Sequence, residues 1–209
     1  MTEDVPYRCA CGGIEGELTL SSRQSGTRYV CHCRDCQAFA HHLGRADEVL
    51  DANGGTAVLQ TDPGAFRITR GQDRLACVGV TDGPLLRWYC ETCKSPVANT
   101  MSSGKWPFLS LILAHFGSEA GDDRPGRDGG HVFTDSAYGD LGDVKRASVA
   151  AMIGRAVYRI IRSRLGGSDR RSPFFDPASG APIREPRRLS AEERQVIDER
   201  LDAAARAAG

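Results

Sequence analysis

The sequence predicts a mainly β domain stapled by metal ions and followed by an α-helical C-terminal extension. Three observations predict it. Seven of the eight cysteines fall into three tight groups, Cys9-x-Cys11, Cys31-x-Cys33-x-x-Cys36 and Cys90-x-x-Cys93. Between the groups run short apolar or alternating stretches bounded by Gly, Asn, Asp and Pro. Beyond residue 136 the apolar spacing becomes helical.

Each element has its own warrant. Ile14, Gly16, Leu18 and Leu20 alternate with Glu15, Glu17 and Thr19, the pattern of a half-buried strand. Thr27–Val30 is a short strand that delivers Cys31. Residues 56–60, 65–69 and 74–80 follow as strands, separated by turns at Asn53-Gly54-Gly55, Asp62-Pro63-Gly64 and Arg70-Gly71-Gln72-Asp73. Residues 85–89 deliver Cys90, and the apolar run 108–116 is a last strand or a buried helix. Residues 1–116 thus read as one β domain, the Gly- and Asp-rich stretch 117–135 as a linker or long loop, and 136–209 as a helical extension. In that extension Val149, Met152, Ile153, Ala156, Val157, Ile160 and Ile161 keep helical spacing within 144–165, and Gly166-Gly167 ends the helix. Its apolar side is expected to pack on the β domain, with arginines near its C-terminus. Residues 168–189 read as irregular. Ser190 and Glu193 form a capping box before a final helix.

Composition narrows the function classes. With 27 basic and 27 acidic residues in 209, net charge argues for neither nucleic acid nor a membrane surface. No apolar run approaches the roughly 20 residues of a membrane span. No apolar N-terminal stretch follows a basic start, so a cytoplasmic setting with reduced thiols is expected.

Paired cysteines two or three positions apart aim both sulfurs at one tetrahedral ion. The simplest partition is a closed four-thiolate zinc site from Cys9, Cys11, Cys90 and Cys93 and a three-thiolate site from Cys31, Cys33 and Cys36. Pairing the first group with the third is a choice; other partitions leave an orphan pair. Cys77, alone in an apolar strand, reads as a buried structural thiol. His32, His41 and His42 are candidates to complete the triad, and His115 and His131 read as unrelated to it. Arg28, Arg34 and Arg45 are candidates to hold the carboxylates of a thiol tripeptide. Trp88 and Tyr89 are expected in the core, and Asp47, Glu48 and Asp51 in a solvated loop.

The run Cys9-Ala-Cys11-Gly12, Cys31-His32-Cys33-Arg34-Asp35-Cys36, Trp88-Tyr89-Cys90-Glu91-Thr92-Cys93 resembles the glutathione-dependent formaldehyde-activating enzyme family, over about residues 7–100. The resemblance implies an Mss4-like β-tent. It implies two zinc ions per chain, one structural on the first and last groups and one more labile on the triad. It also implies carbon–sulfur lyase chemistry on a thiol–aldehyde adduct, with glutathione as the small thiol. Lys94 stands where that family has glycine, and the helical extension is not part of its core pattern. Three thiolates on Zn²⁺ carry a net charge of −1, a poor Lewis acid for water but a good partner for another soft thiol. The competing expectation is a non-catalytic zinc-stabilised module whose C-terminal helices recruit a protein partner or a second copy.

Overall fold

The computed structural model describes residues 3–22, 25–117, 125–167 and 171–208. Among these, eleven strands form two sheets, with helices on one side and at the C-terminal end. The alternating stretch Glu15–Leu20 is a strand (β2) that buries Leu18 and Leu20 and turns Thr19 outward. It pairs antiparallel with Glu3–Arg8 (β1) on one side and Phe66–Arg70 (β5) on the other, giving a three-stranded sheet.

The larger sheet has eight strands. Its centre is an antiparallel run of Thr27–Cys31 (β3), Thr56–Thr61 (β4), Leu109–Ile112 (β9), Pro96–Met101 (β8), Leu85–Cys90 (β7) and Leu75–Gly79 (β6). Both edges are closed by later chain. Arg127–Val132 (β10) pairs parallel with β3, and Arg187–Arg188 (β11) pairs parallel with β6. The stretch 117–135, expected to be linker or loop, therefore contains an edge strand. Residues 118–124 of it lie outside the described residues. Its strand signal is masked by Gly129 and Gly130. A Cβ at Gly129 would collide with the Tyr29 ring, so the glycine is what lets β10 lie against β3.

Two apolar layers line the two faces of the large sheet. Between the sheets pack Tyr7, Ile14, Leu18, Phe66, Trp88, Val97 and Leu111. On the opposite face Tyr29, Val58, Val78 and Ile112 pack under the helix Arg34–His42 (α1), through Phe39 and Ala40, and the short helix Ala46–Val49 (α2) follows with Val49 in the same layer. Period-two alternation along β7 feeds both layers. Leu86, Trp88 and Cys90 enter the first, while Tyr89 enters the second and Arg87 lies over the Phe39 ring of that layer.

The C-terminal extension returns to both layers. Phe174 and Phe175, in a segment expected to be irregular, reach the inter-sheet core, where Phe174 stacks on Phe66 at 6.2 Å and tilts against Trp88 at 5.1 Å. The final helix, Ala191–Ala208 (α4), buries Ile197 and Leu201 against Ala38 of α1. Its capping box is formed, since Glu193 N donates to Ser190 Oγ and Ser190 N to Glu193 Oε2.

The helix Val149–Gly166 (α3) departs from expectation. Its body-facing side carries Met152, Ala156, Ile160 and Ser163, and two arginines reach inward with them, Arg155 to Tyr29 Oη and Arg159 to Thr27 Oγ1. Apolar residues occupy more than one side of this helix. Ile153, Val157, Ile161 and Leu165, each four positions from the last, are left exposed. Among the described residues, no helix is long and apolar enough to cross a membrane.

Candidate metal centres

The first and third cysteine groups, far apart in sequence, meet at one end of the sheets. The sulfurs of Cys9, Cys11, Cys90 and Cys93 all lie within 4.8 Å of one another. Cys9 Sγ is 3.5 Å from Cys11 Sγ, which is 3.9 Å from Cys90 Sγ. Tetrahedral Zn–S bonds of about 2.3 Å put neighbouring sulfurs about 3.8 Å apart, so these separations suit a metal. They are nearly twice the length of a disulfide bond, and all eight cysteines are free.

Local turns shape this centre. After Cys9, Gly12 N returns to Cys9 O at 2.8 Å with Gly12 at φ 65°, a left-handed conformation that glycine adopts without strain. After Cys90, Lys94 N returns to Cys90 O at 2.9 Å with Lys94 at φ 59°. The lysine therefore keeps the backbone a glycine would take, and its Nζ sits 5.4 Å from the Tyr89 ring centroid. Ile14 N donates to Cys9 Sγ at 3.1 Å. Ser95, wholly buried, joins the two turns: its Oγ accepts from Ala10 N and lies 3.2 Å from Cys93 Sγ. Burial works against the Cys93 thiolate, but the Ser95 hydroxyl and amide and then Cys11 bring that thiol down to about 6. The same burial pushes Cys90 up to about 12.

The second group gathers by itself. Cys31 ends β3, Cys33 precedes the first turn of α1, and Cys36 lies in that turn. Their sulfurs lie within 4.8 Å of one another, Cys31 3.5 Å from Cys33 and 3.7 Å from Cys36. Contact with the Cys31 sulfur works to lower the Cys33 thiol, but the Cys36 sulfur and burial push it up to about 12. Contacts with the Cys31 and Cys33 sulfurs, aided by the Arg87 guanidinium, hold the Cys36 thiol well below its ordinary range, whereas Cys31 is pushed well up by Cys33 and Cys36.

Among the described residues, no fourth His, Cys, Asp or Glu atom joins these three within the same radius. Of the candidate histidines, His32 is turned away, with Nδ1 3.1 Å from Asn53 O and Nε2 2.9 Å from Nδ1 of His131. His131, read from sequence as unrelated, is thus what holds His32 off the triad. His42 packs edge-on against Tyr89, and His41 lies toward Arg200 and Asp47.

Two of the three arginines proposed to hold a tripeptide, Arg34 and Arg45, are otherwise engaged. Arg34 pairs with Asp198 and Asp202 of α4 at 3.2 and 2.8 Å, and Arg45 donates through Nε to Cys93 O at 3.0 Å and pairs with Glu48. Arg45 therefore ties the segment after α1 to the four-cysteine centre. The residue that sequence reasoning passed over is Arg87. Its Nη1 lies 3.7 Å from Cys36 Sγ and 3.0 Å from Asn99 Oδ1, and its side chain is almost wholly buried. The signal was available: Arg87 is out of phase with Cys90 along β7, so it faces the other centre.

A model of the family of unknown function DUF6151 matches residues 1–185. The chain belongs to the DUF6151 family. The matched span includes both cysteine centres and ends before α4. No curated protein matches the chain. Among solved structures, a Rhodobacter sphaeroides protein, a structural genomics target, is similar at a TM-score of 0.39 and 17% identity, over 56% of this chain and 90% of that one.

Proposed function

We propose that this DUF6151 member is a two-zinc protein with one closed and one open site. Cys9, Cys11, Cys90 and Cys93 hold a structural ion, and Cys31, Cys33 and Cys36 hold a second one, accessible to an external thiol of the glutathione type. The observation that carries this reading is the three-sulfur cluster with no fourth protein ligand among the described residues. The chemistry is the making and breaking of a thiol–aldehyde adduct, a carbon–sulfur lyase reaction in a reducing compartment such as the cytoplasm. The resemblance of the cysteine pattern to the formaldehyde-activating family supports that choice of substrate.

Bound zinc supplies a soft position at which an incoming sulfur stays ionised near neutral pH. The chain's own residues do the rest. The three cysteines converge at the start of α1, whose amide dipoles favour negative charge there. His131 keeps the His32 imidazole away from the sulfurs. In the reaction a thiolate sulfur forms a bond to the aldehyde carbon, the C=O electron pair moves to oxygen, and that oxygen takes a proton from solvent. Breakdown of the adduct is the reverse.

The test is exchange between ¹³C-formaldehyde, glutathione and their adduct, followed by NMR. Zinc-loaded protein should accelerate the exchange, and Cys33→Ser should abolish the acceleration. Exchange no faster than with buffer alone, across several thiols and aldehydes, would sink the proposal.

A second reading has one observation in its favour. The exposed row Ile153, Val157, Ile161 and Leu165 on α3 is the kind of face that recruits a protein. A module of this kind would show sedimentation or pull-down behaviour that Ile161→Glu alters while zinc content stays the same.

A further inference from the structure

Among the described residues, Arg87 is the only Lys, Arg, Asp or Glu that is buried. A guanidinium does not lose its proton in a protein, and placing one in a core is costly unless fixed negative charge faces it. Its neutral partners are modest. Nη1 donates to Asn99 Oδ1, the guanidinium carbon sits 5.6 Å from the Phe39 ring centroid, and Nε is buried without a hydrogen-bond partner. Its nearest carboxylate, Asp35, is 4.0 Å away, one-third exposed, and already bonded to Arg194 at 2.9 Å. The remaining neighbour is the sulfur cluster, with Cys36 Sγ at 3.7 Å. Three neutral thiols would leave this cation poorly matched. Three thiolates around a divalent ion carry −1, and Arg87 brings the sum to zero.

We propose that Arg87 is the counter-charge that lets the Cys31–Cys33–Cys36 centre accept an anionic sulfur as its fourth ligand. The inference rests on the open-site reading above and adds a selectivity to it. With Arg87 in place an incoming thiolate takes the local charge from 0 to −1; without it the change is from −1 to −2. A neutral ligand such as imidazole adds no charge, so its binding does not depend on Arg87. Arg87 acts through the sulfurs and is a positioning residue.

The test uses the full chain loaded with Co²⁺, whose visible spectrum reports its ligands, titrated separately with glutathione and imidazole. Arg87→Met, similar in length and uncharged, should weaken glutathione about 10-fold or more while leaving imidazole within about twofold. Arg87→Lys should stay near the parent, and Asn99→Ala, which removes only the neutral partner, should too. If Arg87→Met does not yield folded protein, Arg87→Gln set against Arg87→Lys makes the same comparison. Equal losses for both probes, or no loss for either, would overturn the assignment of Arg87 while leaving the open site standing. A parent protein whose spectrum responds to neither probe would overturn both.

Discussion

Nη1 of Arg194, on α4, lies 2.9 Å from Oδ1 of Asp35, in the turn between Cys33 and Cys36. The same arginine donates to Val80 O at 3.1 Å and pairs with Asp198, which in turn pairs with Arg34. The last helix is thus fastened by a small ionic network to the segment that carries the triad.

Arg194→Ala should destabilise the protein by about 1 kcal/mol, since the pair is only part-buried and solvent screens it. Urea denaturation would measure the loss. Amide exchange should quicken in α4 and in the first turn of α1 while β7 stays protected. Uniform quickening would mean that α4 is not a separately fastened element.

Metal content should sort the cysteines. Protein purified without added metal should carry two zinc ions per chain, falling to one on brief exposure to millimolar glutathione. Burial pushes the Cys77 thiol up to about 12, so it stays protonated, and Cys77→Ser should keep both ions. Cys33→Ser should keep one and remain folded. Cys90→Ser should fail to fold, because a structural zinc site is worth about 10–16 kcal/mol, more than most domains have to spare. Circular dichroism and elemental analysis on the four proteins check this, and a folded Cys90→Ser would refute it.

Phe174→Ala should cost about 3–5 kcal/mol, the usual penalty for emptying a buried aromatic position. Thermal unfolding would show whether residues 171–185 belong to the cooperative core. A change under 1 kcal/mol would show that the core closes without them.

Burial holds the His115 imidazole below its ordinary range, and its Nε2 is buried without a partner. The unfolded chain then binds this proton first. The stability this supplies is complete above the unfolded value of about 6.5 and is lost as pH falls below it. His115→Gln should therefore lose less stability than the parent between pH 7.5 and 5.5. Parallel losses in the two proteins would show that His115 does not contribute.

Much of this architecture is legible because its strands are half-buried. Alternation locates β2, and turn residues bracket β3 to β7. Strand β8 is hidden because it starts at Pro96, contains Asn99, and is buried nearly throughout, so no alternation marks it. Helix α1 is hidden because its N-cap is Cys33, which makes no side-chain capping bond, and its first turn is also part of the cysteine group. The local gathering of Cys31, Cys33 and Cys36 follows from spacing, whereas the pairing of the first group with the third is a choice that the structure supports and the fate of His32 is not legible at all. Its ring is placed by His131, ninety-nine positions away. Arg34 and Arg45 looked available because sequence does not show which charges will be consumed by α4 or by the carbonyl of Cys93.

Cys11 and Cys90 stand 79 positions apart in the chain yet 3.9 Å apart in space, whereas Cys31, Cys33 and Cys36 span five positions. The two centres therefore have different birthdays. During synthesis the triad can gather as soon as its own short loop is made, at small entropic cost, while the four-sulfur corner must wait for residue 93 and a far longer closure. A metal ion that meets the chain during synthesis therefore meets the three-sulfur group first, before the four-sulfur corner exists.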